Sequence, residues 1–98
     1  MKAPIEYRQI TRRDVDEYYS RYERLEFGLG DRFLAALRDR IEQIRDNPFL
    51  YSKLVRDIRA VKLHKFPQVV YYRVLNGCVI VVGVLHSRRD PRRLRKRK

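Results

Sequence analysis

The stretch QVVYYRVL-NG-CVIVVGVL, from Gln68 to Leu85, decides the fold of this chain. Two apolar runs flank Asn76-Gly77, and both positions of a tight two-residue turn need positive φ, which Asn and Gly tolerate best. The stretch therefore predicts a β-hairpin. The turn also sets its register, with three predicted pairs: Leu75 with Cys78, Tyr72 with Val81, and Arg73 with Ile80. Because the second run is apolar at both alternating sets of positions, it predicts an interior strand.

Two helices are predicted upstream of the hairpin. Apolar residues recur at three- and four-residue steps from Val15 to Leu25, the pattern of an amphipathic helix of about four turns, with Thr11 as its N-cap. A second stripe runs from Phe33 to Ile44, with Asp31 as its N-cap, and Asp46-Asn47-Pro48 ends it. The short glycine-rich turn between them predicts an antiparallel helical hairpin.

Shorter alternating segments complete the predicted architecture. Ile5 to Arg8 and Ile58 to Lys65 alternate apolar and polar residues, as half-buried strands do, and Pro67 interrupts the second. The order is β-α-α-β-β-β, an α+β fold in which a helical hairpin packs on one face of a mostly antiparallel sheet. We expect the other face to be partly open and Leu94 to Lys98 to be a solvated tail.

All of the net charge lies in the second half of the chain. Residues 1–50 carry ten basic and ten acidic residues, whereas residues 51–98 carry fourteen and two, the whole formal charge of +12. Eighteen of the 24 basic residues are Arg, which makes planar, bidentate contacts to phosphate and carboxylate. The second half is therefore predicted to face an anionic partner.

Composition and motifs exclude several functional classes. A single cysteine, Cys78, excludes an internal disulfide and a four-cysteine zinc site, and we interpret it as a packing residue. The chain has no glycine-rich phosphate loop, no His-Glu-x-x-His and no acidic cluster, so we expect no cofactor and no metal. Without an apolar leader or a run of about 18 apolar residues, we expect a cytoplasmic protein with no membrane partner.

The candidate site residues lie on the strands and just beyond the last one. His86 ends the last strand, where it could act as a general acid or base while Arg88 or Arg89 holds a phosphate. It could equally bond the backbone and fix the exit of the strand, and both interpretations stay open. Five basic residues could form a groove that would bind RNA or an acidic protein equally well: Arg59, Lys62, Arg73, Arg88 and Arg89.

Several segments together resemble the RelE/ParE superfamily of toxins from bacterial type II toxin–antitoxin systems, often called plasmid stabilisation proteins. The resemblance covers residues 4–91 and is carried by Asp46–Pro48, Lys65–Pro67, Val70–Val74 and Val84–Pro91. It implies a single toxin domain over residues 1–91 followed by a basic tail over 92–98. It also implies the β-α-α-β-β-β fold and a cognate antitoxin that wraps a segment around the toxin.

The superfamily implies two activities from different classes. RelE-like members cut mRNA in the ribosomal A site, and ParE-like members bind DNA gyrase and trap its cleaved complex. The RelE pattern fits this chain poorly: Lys62 and Arg88 match basic positions, but Ala60 and Val69 stand where other basic residues are expected, and no tyrosine follows Tyr72. Loss of an Arg that stabilises the transition-state charge costs on the order of a hundredfold in rate.

The sequence therefore predicts a toxin neutralised by an antitoxin with an acidic or amphipathic segment, in a toxin–antitoxin hetero-oligomer. Inhibition of DNA gyrase is the first hypothesis. Ribosome-dependent mRNA cleavage without metal, with His86 and Arg88 as its catalytic residues, is the alternative, and a simple RNA-binding module fits the family pattern least well.

Overall fold

The elements follow the predicted order with one strand added. The computed structural model describes residues 2–97 and, at Arg95, the backbone alone. In chain order the elements are β1 (Ile5–Tyr7), α1 (Gln9–Leu25), α2 (Leu29–Asp46), β2 (Lys53–Val55), β3 (Ile58–Lys62), β4 (Gln68–Leu75), β5 (Cys78–His86) and a 3-10 helix, η1 (Pro91–Lys96). The added strand is β2, whose three residues are too few to show an alternating pattern.

The five strands lie in the order β1-β5-β4-β3-β2. β1 is parallel to β5, and the other three pairings are antiparallel. The predicted α+β fold with a mostly antiparallel sheet is thus confirmed. β5 lies between β1 and β4, as expected for a strand that is apolar on both faces. The chain therefore leaves the sheet from an interior strand.

The β4–β5 hairpin has the predicted turn and register. Asn76 and Gly77 both have positive φ, 52° and 75°. The three predicted pairs are all present: Leu75 with Cys78, Tyr72 with Val81, and Arg73 with Ile80. Beyond Tyr72 the register shifts, because Tyr71 lies opposite Gly83, and one extra residue in β5 forms a bulge. Bulges bend a strand and increase its twist, so β5 changes direction just before Gly83.

Apolar clusters lie on both faces of the sheet. The cluster on the helix side includes Phe33, Leu37, Ile41, Ile44, Val70, Tyr72, Val79, Val81 and Val84. The smaller cluster on the second face consists of Ile58, Tyr71, Ile80, Val82, Leu85 and Leu94. Because Leu94 belongs to η1, this short helix covers part of the face that we expected to be partly open.

The prediction of a solvated tail from Leu94 to Lys98 is wrong for its described part. Leu94 is 1% exposed, and Nη1 of Arg97 lies 2.8 Å from Oδ2 of Asp14. Gly83 permits this close approach, since a Cβ there would lie 2.9 Å from both Leu94 Cδ2 and Arg97 Nη1. Lys98 lies outside the described residues.

The starts of both helices differ from the predicted caps. α1 begins before Thr11, which is fully buried, and the Thr11 hydroxyl donates to the carbonyl oxygen of Val81 at 2.8 Å. α2 follows Gly28, whose φ is 85°, and Asp31 lies in its first turn. The predicted end of α2 at Asp46 is confirmed. Within residues 2–97, no helix is both long and apolar enough to cross a membrane.

Candidate functional site at the end of the last strand

Side chains close the edge of β5 where β1 stops. The β1 pairing ends opposite Val81, and backbone groups beyond it would otherwise be open to a new strand. The partners on this edge are the Thr11 hydroxyl on Val81 O, Arg97 Nη1 on Val82 O, Asp14 Oδ2 on Val84 N and Tyr18 OH on His86 N. Side chains of α1 and Arg97 therefore bond the edge of β5 from Val81 to His86.

His86 is anchored through both its backbone and its ring. Its N–H donates to the hydroxyl of Tyr18 at 2.9 Å, and its Nδ1 accepts the N–H of Arg88 at 3.0 Å. A neutral imidazole that accepts at Nδ1 carries its proton on Nε2. To act as a general base through Nδ1, His86 would have to release the Arg88 amide. The observed bonds match the anchoring interpretation that the sequence left open.

The predicted basic groove is divided between the two faces of the sheet. Arg59 lies opposite Tyr72 and hence on the helix side, where Nη1 donates to the Tyr51 carbonyl at 2.7 Å. Arg73 lies on the second face and forms an ion pair of 2.9 Å with Asp57. Both guanidinium groups therefore have partners within the fold.

Lys62 also lies on the second face, since it is opposite Val69, and it is exposed. Arg88 and Arg89 are exposed just after β5, where the N–H of Arg89 donates to the carbonyl of His86 at 2.9 Å. Of the five predicted basic residues, only this adjacent pair and Lys62 present exposed side chains.

The chain end adds basic residues that the sequence prediction assigned to a tail. We define residues 87–97 as the basic segment. Within it, Arg92 bonds Asp90 at 3.0 Å and lowers the pKa of that carboxyl, while Arg93 and Lys96 are exposed. Leu94 is the sequence signal that could have indicated a folded segment instead of a tail, because a single apolar residue in a run of cations can anchor a short helix.

The centre of the second face is apolar where an RNA-cleaving site would need cations. Ala60 and Val69 are partly buried against the cluster that contains Tyr71 and Leu94. Burial raises the pKa of the Tyr71 phenol, and the charge of Asp90 raises it further. A phenol whose pKa is raised above its ordinary value stays protonated at neutral pH and is a poor general base there.

A buried polar contact beside His86 was missed in the sequence. Gln68, which lies opposite His86 in the sheet, is 1% exposed. Its Nε2 donates to the hydroxyl of Tyr22 at 2.9 Å. Because a buried amide needs such a partner, we interpret this pair as a structural link between α1 and β4. Within residues 2–97, no cluster of His, Cys, Asp and Glu could hold a metal ion.

A groove of about 720 Å³ lies between α2 and the loop that joins β3 to β4. Its apolar lining consists of Leu29, Ala35, Ala36 and Phe66. Its basic lining consists of Arg32, Arg40, His64 and Lys65, with Asp39 as the acidic member. Nε of Arg40 donates to the carbonyl of Lys62 at 2.8 Å and so joins α2 to β3 beside the groove. Small side chains and a basic rim suit a segment with apolar and acidic side chains.

Comparison with protein families gives one match over most of the chain. The family described as "ParE toxin of type II toxin-antitoxin system, parDE" matches residues 5–91. No curated protein matches the chain significantly in sequence.

Solved structures with a similar fold come from toxin–antitoxin systems. A chain of the chromosomal ParDE system of P. aeruginosa has a TM-score of 0.65 at 18% identity, covering 87% of this chain and 96% of that one. A chain of the RelBE2 toxin–antitoxin complex of Mycobacterium tuberculosis has a TM-score of 0.63 at 17% identity, with coverages of 88% and 99%. A mutant of the E. coli toxin RelE in the free state has a TM-score of 0.63 at 12% identity, with coverages of 99% and 94%. At these identities the likeness establishes the fold.

Proposed function

Because this chain belongs to the ParE toxin family of type II toxin–antitoxin systems, we propose that it inhibits growth by binding DNA gyrase. In this proposal it acts in the cytoplasm, without a cofactor, as a gyrase inhibitor that a cognate antitoxin neutralises. The exposed residues Lys62, Arg88 and Arg89 face the target complex, while Arg59 and Arg73 maintain the sheet.

The apolar centre of the second face is the observation that favours gyrase inhibition over mRNA cleavage as the activity. Cleavage of a phosphodiester needs cations aimed at the developing phosphorane charge. Ala60 and Val69 instead pack against the cluster that Leu94 closes, and Arg73 is paired with Asp57. A ParE-like toxin cuts nothing itself, so it needs no such cations.

Ribosome-dependent mRNA cleavage is the second candidate, and one observation favours it. His86 lies next to the exposed Arg88 and Arg89 at the end of β5. As an mRNA interferase, the protein would use these residues as its catalytic group, and His86 would first have to release the amide of Arg88. Two points therefore count against mRNA cleavage, the required rearrangement at His86 and the lack of cations at Ala60 and Val69, so we rank this candidate second.

The antitoxin partner is assigned to the groove beside α2. Ala35 and Ala36 leave room for apolar side chains, and the exposed Lys65 favours carboxylates beside them. An acidic, amphipathic antitoxin segment would also offset the +12 charge of the toxin. We therefore propose that this segment lies in the groove within a toxin–antitoxin hetero-oligomer.

Purified components separate the two candidate targets. The gyrase proposal predicts that the full-length chain inhibits DNA supercoiling, that added antitoxin restores it, and that mRNA on translating ribosomes stays intact. Codon-positioned cuts that appear only with ribosomes, together with normal supercoiling, would establish the second candidate instead. Growth assays then test the site: if His86→Ala and Arg88→Ala both left inhibition unchanged, the assignment of the surface at the end of β5 would be wrong.

A further inference from the structure

The basic segment, residues 87–97, presents cations that the fold does not use. Its ion pairs among the described residues are Arg92 with Asp90 and Arg97 with Asp14. Four basic side chains of the segment are exposed and lie outside these pairs: Arg88, Arg89, Arg93 and Lys96. We propose that the basic segment binds the phosphate backbone of duplex DNA without regard to sequence. This inference rests on the proposed function, in which the target enzyme holds duplex DNA, and names the ligand of that same surface.

Hydrogen bonds and packing hold the backbone of the basic segment in one conformation. The N–H groups of Arg88 and Arg89 donate to the ring and the carbonyl of His86. Leu94 packs η1 against the second face of the sheet and is 1% exposed. Arg97 ties the far end of the segment to α1 through Asp14. A backbone that is already ordered loses less conformational entropy when it binds a ligand.

Neighbouring carboxylates do not oppose an anionic ligand. Asp90 lies within the segment, but its charge is offset by Arg92 at 3.0 Å. Asp14 is likewise paired with Arg97 at 2.8 Å. The exposed cations therefore produce a positive field that attracts phosphates.

The surface lacks the features of a protein interface core. Protein interfaces centre on apolar and aromatic anchors. The large apolar side chains exposed in the described structure all lie outside the basic segment: Ile10, Leu25, Phe27, Phe49, Leu50, Leu54 and Leu75. Phosphate-backbone binding needs cations alone, and cations are what the segment displays.

The surface also favours a duplex over a single strand. Proteins that bind single strands stack successive bases on aromatic side chains. Residues 87–97 contain no aromatic residue, and Tyr71 in the cluster beneath them is 3% exposed. Duplex bases are already stacked on each other, so the missing aromatic residues are no loss for a duplex ligand.

Fluorescence anisotropy with the full-length chain and a labelled duplex of about 20 base pairs tests this inference over a range of salt concentrations. The test variant combines Arg88→Gln, Arg89→Gln and Arg93→Gln. The matched control combines Arg13→Gln, Arg24→Gln and Arg38→Gln, which are exposed residues of α1 and α2. Both variants lose three positive charges, so they differ only in where the charges are removed.

We expect wild-type protein to bind the duplex more tightly than the same single strand, with an affinity that falls as salt rises. The test variant should bind at least tenfold more weakly at 100 mM salt, with its salt slope reduced by about 2.7, at roughly 0.9 per phosphate contact. The control should stay within about twofold of wild type, and lysine at the same three test positions should preserve the slope. Equal losses in the two glutamine variants, tighter binding to the single strand, or no salt-dependent binding by wild type would each overturn the inference.

A supercoiling assay on the same preparations separates this inference from the proposed function. If wild-type protein inhibits gyrase but does not bind duplex DNA, the DNA-binding inference alone is wrong. If it binds duplex DNA through the basic segment but leaves gyrase unaffected, the gyrase proposal alone is wrong.

Discussion

Asp14 and Arg97, 83 residues apart in sequence, form an ion pair of 2.8 Å between α1 and the end of the chain. Their side chains are only 13% and 18% exposed. Asp14 also accepts the N–H of Val84, and Arg97 donates to the carbonyl of Val82. The pair therefore joins a helix, the interior strand β5 and the basic segment at one point.

Replacing Arg97 should destabilise the protein measurably. We expect Arg97→Gln to lower the free energy of unfolding by about 2 kcal/mol, because a largely buried carboxylate and a strand carbonyl lose their donor. Urea denaturation measures this change. Arg93→Gln, which removes an exposed cation nearby, is the control and should change the free energy by less than about 0.5 kcal/mol. Equal effects of the two substitutions would show that the ion pair contributes nothing.

Leu94→Ala should lower the free energy of unfolding more than the same leucine-to-alanine substitution at an exposed position. Leu94 is 1% exposed against Tyr71 and the rest of the second-face cluster, so we expect a loss of about 3 kcal/mol. The control is Leu75→Ala at the exposed end of β4, where 37% of the residue is accessible. Thermal and urea unfolding should separate the two variants clearly. A loss at Leu94 no greater than that at Leu75 would mean that η1 does not cover the second face in solution.

Stability should decline at alkaline pH. Burial raises the pKa of both Tyr71 and Tyr72 above the ordinary value of 10.0. The buried, protonated phenols therefore contribute fully to the free energy of unfolding below pH 10, the ordinary pKa. This contribution is lost as the pH rises through the pKa of the folded state. Ultraviolet titration of tyrosinate together with unfolding at each pH measures this, and Tyr71→Phe should reduce the decline. If both phenols ionised at or below their ordinary pKa, the burial of these residues would be contradicted.

Filling the groove beside α2 should weaken antitoxin binding. Ala35 is an exposed residue in its lining, so Ala35→Trp occupies space without disturbing the core. We expect at least about a tenfold rise in Kd for the cognate antitoxin, since a displaced contact of 1.4 kcal/mol corresponds to that factor. Isothermal titration calorimetry gives the value. Ser20→Trp, on the exposed side of α1, should leave Kd unchanged, and an equal effect there would remove the groove from the proposed interface.

Local patterns were sufficient for the main elements of this fold. Asn76-Gly77 determines the turn of the hairpin, and the turn length determines the register, so neither depends on distant residues. The two helices follow from apolar spacing in the same way, and Pro48 explains the end of α2. The order of these elements predicted an α+β arrangement, and the family resemblance implied the same one.

The features that the sequence did not predict depend on contacts between distant residues. Thr11 resembles an N-cap, but its hydroxyl bonds the carbonyl of Val81, 70 residues away. Leu94 stands in a run of cations and is buried because β5 bends at the bulge and Gly83 lets η1 approach. The three residues of β2 gain their strand conformation from pairing with β3.

The candidate site was predicted in composition more than in arrangement. The charge of residues 51–98 predicted an anion-facing surface, but it could not show which basic side chains have partners within the fold. Asp57 engages Arg73, and the Tyr51 carbonyl engages Arg59. Each contact joins segments whose proximity arises only in the folded protein, so the exposed set centred on Arg88 and Arg89 emerged from the structure.

Covalent gyrase–DNA complexes in cells that produce the toxin test the central claim most directly. Gyrase trapped in its cleaved state stays attached to DNA after detergent denaturation and can be recovered with it. We expect this complex to accumulate before growth stops and to disappear when the antitoxin is co-produced. Translated mRNA in the same cells should stay uncut. Growth arrest with codon-positioned mRNA cuts and no gyrase–DNA complex would contradict the account and identify the ribosome as the target.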